Sequence, residues 1–441
     1  MFTKRAGRRI AANERLTGSD LGRCSTSRLV RALGTHGRKS SSAPARYNRG
    51  VFQPARHETI TSDPWNDAQV REAIAGIVED AARARGDDGL WAVHPADDPM
   101  PGPRTGIYFG AAGVCWALRH LAERGYESPA PARDTAGLME ICVASPETGE
   151  AAPSYFVGET GVRFVTGDGL DRMVGLIEGN IENPCLEFLW GSPGTMIPAL
   201  VMYRRTGEER WRDLWLRNAR FLLSRFEYHE DAGCRLWTQD LYGEIVRLLG
   251  AGHGFAMNAG ALLAGIDLLD ESESADLVES VCQTLEATAI REAGVANWPP
   301  HIGTPRRGRE PMLVQWCHGA PGMITSLAAL PARATDTLEA LLCAGGELVW
   351  GAGPLSKGPG LCHGTAGNGY AFLALFARTG DAMWLERARR FAIHALAQSD
   401  AARARHGRGR HSLYSGDLGV ACYAADCIDA RAGLPLIDTF R

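Results

Sequence analysis

Four side chains suited to metal chemistry stand in two near-copies of one phrase. Trp316-Cys317-His318-Gly319-Ala320-Pro321-Gly322 and Leu361-Cys362-His363-Gly364-Thr365-Ala366-Gly367-Asn368 each set a Cys-His pair just before a Gly-x-x-Gly turn. Thiolate sulfur and imidazole nitrogen suit zinc, and a catalytic zinc keeps three protein ligands with a fourth position open. Cysteines 45 residues apart cannot form a local knuckle, and this spacing matches none of the common zinc-finger patterns. One Cys-His-Gly alone reads as core packing, because free cysteine is among the most buried residue types. Its duplication at equivalent points of a repeat favours a shared metal centre instead.

The elements that must bring the two phrases together are visible as repeats. Gly-x-x-Gly occurs at Gly110–Gly113, Gly158–Gly161, Gly191–Gly194, Gly319–Gly322, Gly364–Gly367 and Gly416–Gly419, and a seventh copy at Gly254 has Met257 for its second glycine. Most copies open an apolar stretch, such as Val114-Cys115-Trp116-Ala117-Leu118, that reads as a buried helix. Amphipathic helices lie between them. In Trp211 to Phe226 the apolar residues fall at three- and four-residue steps, and Gly207 and Gly380 are each followed four residues later by a Trp. Hairpins of a buried and an amphipathic helix indicate a helical array. All the chemistry sits at the turn entering the buried helix, and a closed ring would gather those turns at one end. The glycines permit close backbone approach and positive φ, and helix N-termini facing one point favour thiolates.

Size and composition narrow the classes. At 441 residues and 45% apolar, the chain can bury a large core. A net charge of −4 with a pI near 6.3 gives no global pull toward nucleic acid or anionic membrane. No run of 18 apolar residues exists, which argues against a membrane span. Eleven cysteines at irregular spacing do not read as a disulfide framework, and a reducing, cytoplasmic setting fits them. Residues 1–45 are rich in Arg, Ser and Thr with only Glu14 and Asp20 as acids, and they lack the apolar segment of a secretory signal. They are expected to be a disordered or spurious extension, with organelle targeting the alternative, and residues 46–441 to form one domain.

The motifs at 316–322 and 360–368, with Gly252-His253-Gly254, resemble the lanthionine synthetase C-like family. Within it they are most similar to the stand-alone glutathione-binding branch rather than the cyclases of lantibiotic clusters. The resemblance covers about residues 100–435 and includes Asn297-Trp298-Pro299-Pro300. It implies an all-α fold, an α/α toroid of about seven inner and seven outer helices with zinc at one mouth. By position, Cys317, Cys362 and His363 would be the zinc ligands and His253 the acid/base histidine. Glu187 sits where cyclases have an Asp and this branch a Glu. Lys357 matches a lysine that contacts glutathione, and an arginine before Ser412 does likewise, with Arg405, Arg408 and Arg410 the choices. Arg49 corresponds to the family's N-terminal arginine. Two departures stand out: Met257 beside the proposed acid/base, and Leu313 where cyclases carry a catalytic arginine.

These implications describe a zinc-dependent enzyme that adds glutathione or another thiol to dehydroalanine or dehydrobutyrine in a peptide or protein. His253 would protonate the resulting enolate, and His318 would serve as a second donor or hydrogen-bond the enolate oxygen. Plainer roles stand beside these: His253 as a helix cap, His318 as structural, Glu187 as a partner of turn amides and Lys357 as a solvated loop residue. The alternatives are a lanthionine-forming cyclase that uses its substrate's own cysteine and a non-catalytic zinc- or glutathione-binding scaffold. A glycoside-hydrolase reading lacks an identifiable carboxylate pair.

Overall fold

Every glycine-led turn in the sequence opens a helix. The computed structural model describes residues 50–303, 312–331 and 336–438; the expected extension at 1–45 and Arg49 lie outside them. Seven helices begin directly after the first glycine of a turn: α2 (Ala111–Ala122), α4 (Glu159–Thr166), α6 (Ser192–Thr206), α8 (Phe255–Ala264), α10 (Ala320–Leu327), α12 (Thr365–Thr379) and α14 (Asp417–Asp429). Almost every residue in their first two turns is buried, as the apolar stretches require.

Seven more helices alternate with them: α1 (Asp67–Arg83), α3 (Leu138–Ala144), α5 (Leu170–Asn180), α7 (Glu209–Ser224), α9 (Glu271–Thr288), α11 (Asp336–Ala352) and α13 (Ala382–His406). These bury one face. In α7, Trp211, Leu214, Trp215 and Leu222 are buried while Arg212, Asp213, Arg217 and Arg220 are solvated, the periodicity read from the sequence. Each even-numbered helix packs on the next even-numbered one, and α14 packs on α2, so the inner helices close into a ring with the odd-numbered helices outside. This is the all-α toroid of seven inner and seven outer helices.

The glycines act by close approach. A Cβ on Gly113, Gly161, Gly194, Gly322, Gly367 or Gly419 would lie 1.7–2.1 Å from the carbonyl oxygen six residues earlier, an impossible distance. Positive φ is the lesser requirement: of the seven glycines that precede the inner helices, only Gly319 has it, at 106°.

Among the described residues seven short strands join the helices, an addition to the all-α expectation. β1 (Glu227–His229) pairs with β2 (Cys234–Leu236), β3 (Gln239–Leu241) with β4 (Glu244–Leu248), β4 with β7 (His301–Ile302), and β5 (Ile290–Glu292) with β6 (Val295–Asn297), all antiparallel. They occupy only the links from α7 to α8 and from α9 to α10, and the helical ring is intact around them.

Candidate metal centre and active site

The turns are bolted to one another through one backbone position, the residue two before each leading glycine. Gly252 N–H donates to Cys317 O, Cys317 N–H to Cys362 O, Cys362 N–H to Tyr414 O, Tyr414 N–H to Tyr108 O and Tyr108 N–H to Phe156 O, at 3.0–3.3 Å. Cys317 and Cys362 therefore sit on neighbouring, equivalent rungs. His253, His318 and His363 fill the next rung on three consecutive turns. Gly252 is what admits Cys317, since a Cβ there would stand 2.8 Å from the cysteine's own.

This girdle brings the Cys317 and Cys362 sulfurs and a His363 ring nitrogen within 4.8 Å of one another. Sulfur and nitrogen at zinc distances of about 2.3 and 2.0–2.1 Å in a tetrahedron lie roughly 3.5 Å apart; Cys317 Sγ and His363 Nδ1 are 3.6 Å apart. Both cysteines are buried and His363 is half-buried. Gln315 Nε2 donates to Cys317 Sγ at 2.9 Å. The hydrogen bond with Cys362 holds the Cys317 thiol well below its ordinary range, aided by the positive potential of His363 and His318. Burial pushes Cys362 the other way, reinforced by the neighbouring thiolate. Two cysteine sulfurs beside an imidazole form a soft donor set that fits zinc, and metal binding would release the protons the thiols carry.

The sulfurs face a cavity of about 610 Å³ at the mouth where the inner helices begin. His253, His318 and Lys357 line it with the three metal-ligand candidates, as do Arg405, Arg408 and Arg410. On the turn next to that of Cys317, His253 Nδ1 lies 2.7 Å from Glu187 Oε2. Glu187 is fully buried, and its carboxylate also accepts the Leu189 and Trp190 N–H groups at 2.9 and 2.5 Å. The amide-satisfying role and the histidine-holding role are thus filled by one side chain. The helix after His253 has Gly254 at its N-cap, and the His253 ring is turned to Glu187. The His253 and His318 rings stand 6.2 Å apart.

The cations are held differently. Lys357 is exposed on its loop. Arg405 belongs to the last turn of α13 rather than to a loop. The Arg408 guanidinium donates to Val93 O, and Arg410 pairs with Asp97 at 2.6 Å. Leu313 is not at the cavity wall; its carbonyl accepts from Asn297 Nδ2.

Belonging to this architecture is testable against known proteins, and the lanthionine synthetase C-like family model matches residues 66–434, nearly the whole described ring. The chain belongs to the lanthionine synthetase C-like family. It is 36% identical over 221 residues to "Glutathione S-transferase LANCL1" of Danio rerio, a match covering 46% of this chain and 47% of that one. It is 37% identical over 215 residues to "LanC-like protein GCL1" of Arabidopsis thaliana, covering 47% and 46%. The matches thus span about half the length of these relatives. Nisin cyclase shares the fold with a TM-score of 0.56 at 14% identity, over 85% of this chain and 98% of that structure.

Several wall residues carry no motif by which sequence could find them. Gln315 is a lone polar residue in an apolar run, and Tyr108 is a buried phenol beside Cys362, pushed up by burial and by that cysteine. Asn297 lies within the quoted motif, and its role emerges only in three dimensions. Its Oδ1 accepts the Ala320 N–H at 2.9 Å and its Nδ2 donates to Leu313 O at 3.1 Å, clamping the turn that carries Cys317.

Proposed function

We propose that the protein is a zinc-dependent enzyme that adds glutathione, or another thiol, to dehydroalanine or dehydrobutyrine residues of a peptide or protein. The carrying observation is that the Cys317-Cys362-His363 group and His253, which Glu187 holds from behind, line one cavity. Cys317, Cys362 and His363 would hold zinc, which when bound supplies a site where a substrate thiol loses its proton and is kept as thiolate. Addition forms the carbon–sulfur bond at the β-carbon and leaves an enolate. His253 delivers a proton to the α-carbon, while Glu187 accepts the Nδ1–H and so fixes the ring with Nε2 as the transferring atom. His318, on the adjacent rung, hydrogen-bonds the enolate oxygen. Lys357, with Arg405, Arg408 or Arg410, receives the carboxylates of glutathione.

The name of the Danio rerio relative supports a glutathione transfer reaction, and the partial span of that match leaves the assignment to this chain a proposal. Among the described residues no helix is long and apolar enough to cross a membrane, and none of the ten described cysteines forms a disulfide. The proposed setting is the cytoplasm, whose reducing conditions suit free thiols.

The test is to incubate zinc-loaded protein with a dehydroalanine peptide and glutathione and to weigh the product. A glutathione adduct from the wild type and none from Cys317→Ala is expected. A peptide bearing its own cysteine that closes on itself while glutathione is ignored would make the protein a cyclase. Glutathione binding with neither product would make it a scaffold.

A further inference from the structure

Three carboxylates line the cavity: Glu58, Asp98 and Asp417. Asp417 is buried and committed, accepting the Arg410 N–H at 2.9 Å and lying 3.8 Å from Arg403. Asp98 belongs to the loop whose main-chain carbonyl receives Arg104. Glu58 is different in kind. It sits on the N-terminal strap, which runs antiparallel to the loop carrying Lys357: His57 bridges Leu355, Ser356 N–H donates to Arg56 O, and Glu58 N–H donates to Pro354 O. A carboxylate and an ammonium are therefore presented to one cavity by two paired segments.

The carboxylate is anchored from behind. His394 Nε2 and Gln398 Nε2 lie 2.7 and 2.5 Å from Glu58 Oε1. Gln398 Oε1 in turn accepts from Thr365 Oγ1 at 2.7 Å, and Thr365 is the first residue of the helix that follows His363 and Gly364. Two hydrogen bonds thus connect Glu58 to the metal-bearing turn. His394 does not cancel the charge: its Nδ1 accepts the Thr61 N–H at 3.2 Å, so the ring carries its one proton on Nε2 and is neutral. Among the described residues Oε2 takes no hydrogen bond, and the side chain remains 41% exposed. The result is a fixed negative charge at the cavity wall.

We infer that Glu58 binds the free ammonium of the thiol co-substrate, making the site selective for a zwitterionic aminothiol whose amino-acid end carries both charges, with the carboxylate directed to Lys357. This rests on the thiol-transfer reading above and adds to it a requirement for a free amino group. The γ-glutamyl end of glutathione meets that requirement. A thiol with an acylated or absent amine does not.

The test is equilibrium binding, by calorimetry on zinc-loaded full-length protein, of glutathione and of its des-amino analogue, in which a glutaryl group replaces the γ-glutamyl. The wild type is expected to favour glutathione about tenfold, the scale of one charge-assisted hydrogen bond, and to lose that preference as salt is raised. Glu58→Gln keeps an oxygen for His394 and Gln398, so the strap is preserved. It is expected to weaken glutathione about tenfold while leaving the analogue unchanged. Equal losses for both ligands in Glu58→Gln would reduce Glu58 to a strap anchor and overturn the inference, as would equal binding of the two ligands by the wild type. Should Glu58→Gln not fold, the wild-type preference and its salt dependence decide alone. Binding of neither ligand would sink the glutathione reading itself, a result distinct from binding of both without preference.

Discussion

His253 Nδ1 and Glu187 Oε2 lie 2.7 Å apart although 66 residues separate them in the chain, and the glutamate of this pair is wholly buried. A carboxylate in that position must accept, which leaves Nε2 of the imidazole as the exchangeable atom. Glu187→Gln leaves one oxygen for the Leu189 N–H, the Trp190 N–H and His253, so the imidazole or a turn amide loses its acceptor and the ring is no longer held as before. Addition of thiol to a dehydroalanine peptide should slow about a hundredfold, with zinc content unchanged. His253→Asn should slow it comparably, and the double variant should be no worse than the slower single one, because the two residues act as a unit. Additive losses, measured as initial rates, would separate their roles.

Gln315 Nε2 stands 2.9 Å from Cys317 Sγ, a donor aimed at a sulfur that its surroundings favour as thiolate. Partners of this kind tune metal affinity by about 10- to 100-fold. Gln315→Leu should bind zinc at least tenfold more weakly in a chelator competition, while Cys317→Ala, Cys362→Ala and His363→Ala should each be purified with little zinc. Undiminished affinity in Gln315→Leu would leave that hydrogen bond without influence on the metal.

The repeat made the ring legible. A closed ring would gather the glycine turns, and with them Cys317 and Cys362, at one mouth, and the structure sets the two cysteines on adjacent rungs joined by the Cys317 N–H to Cys362 O bond. The choice of His363 over His318 came from the family resemblance, because the two histidines occupy equivalent positions on neighbouring turns and local spacing treats them alike. The Glu187–His253 pair was named residue by residue, and only the fold could supply its contact. What remained hidden depends on chain segments with no periodicity. The strap bearing Glu58 and the β4–β7 pair follow from long-range pairing, which no window of sequence contains; the β1–β2, β3–β4 and β5–β6 hairpins are local, but strands of three to five residues are too short to show a clear alternation.

Gly367 illustrates how little tolerance the turns have. A Cβ there would meet Leu361 O at 1.7 Å, and the helix could enter only by moving away from its neighbours. Gly367→Ala should cost about 3 kcal/mol, the upper range for overpacking a well-filled interior, read as a lowered denaturant midpoint with unchanged slope. It should also loosen zinc, since Leu361 precedes Cys362. Gly351→Ala, where the added methyl meets nothing within 4 Å, is the control and should leave the midpoint unmoved or raised. A loss in Gly367→Ala no larger than in the control would refute close approach as the reason for the motif.

Glu147 gives the fold a pH dependence of its own, away from the candidate metal site. It is buried beside the equally buried Arg104, 3.9 Å away, and its Oε2 accepts the Thr105 and Gly106 N–H groups at 3.0 and 2.6 Å. Burial outweighs these partners and pushes its carboxyl up to about 7 from an ordinary 4.5. Between those values the folded chain holds a proton that the unfolded chain has lost, so the slope of stability with pH is negative for this group. Its contribution is fully present below pH 4.5 and is lost as pH rises toward 7, on the order of 3 kcal/mol in all. His94 works in the opposite sense: burial lowers it to about 4, so stability is lost as pH falls below 6.5 and the unfolded chain gains the proton. Because the two partly cancel in the wild type, the informative measurement is a difference. Glu147→Gln cannot titrate, and its stability relative to wild type should improve steadily from pH 4.5 to 7 in urea unfolding. A difference that stays flat across that window would mean that Arg104 keeps Glu147 ionised in the folded chain.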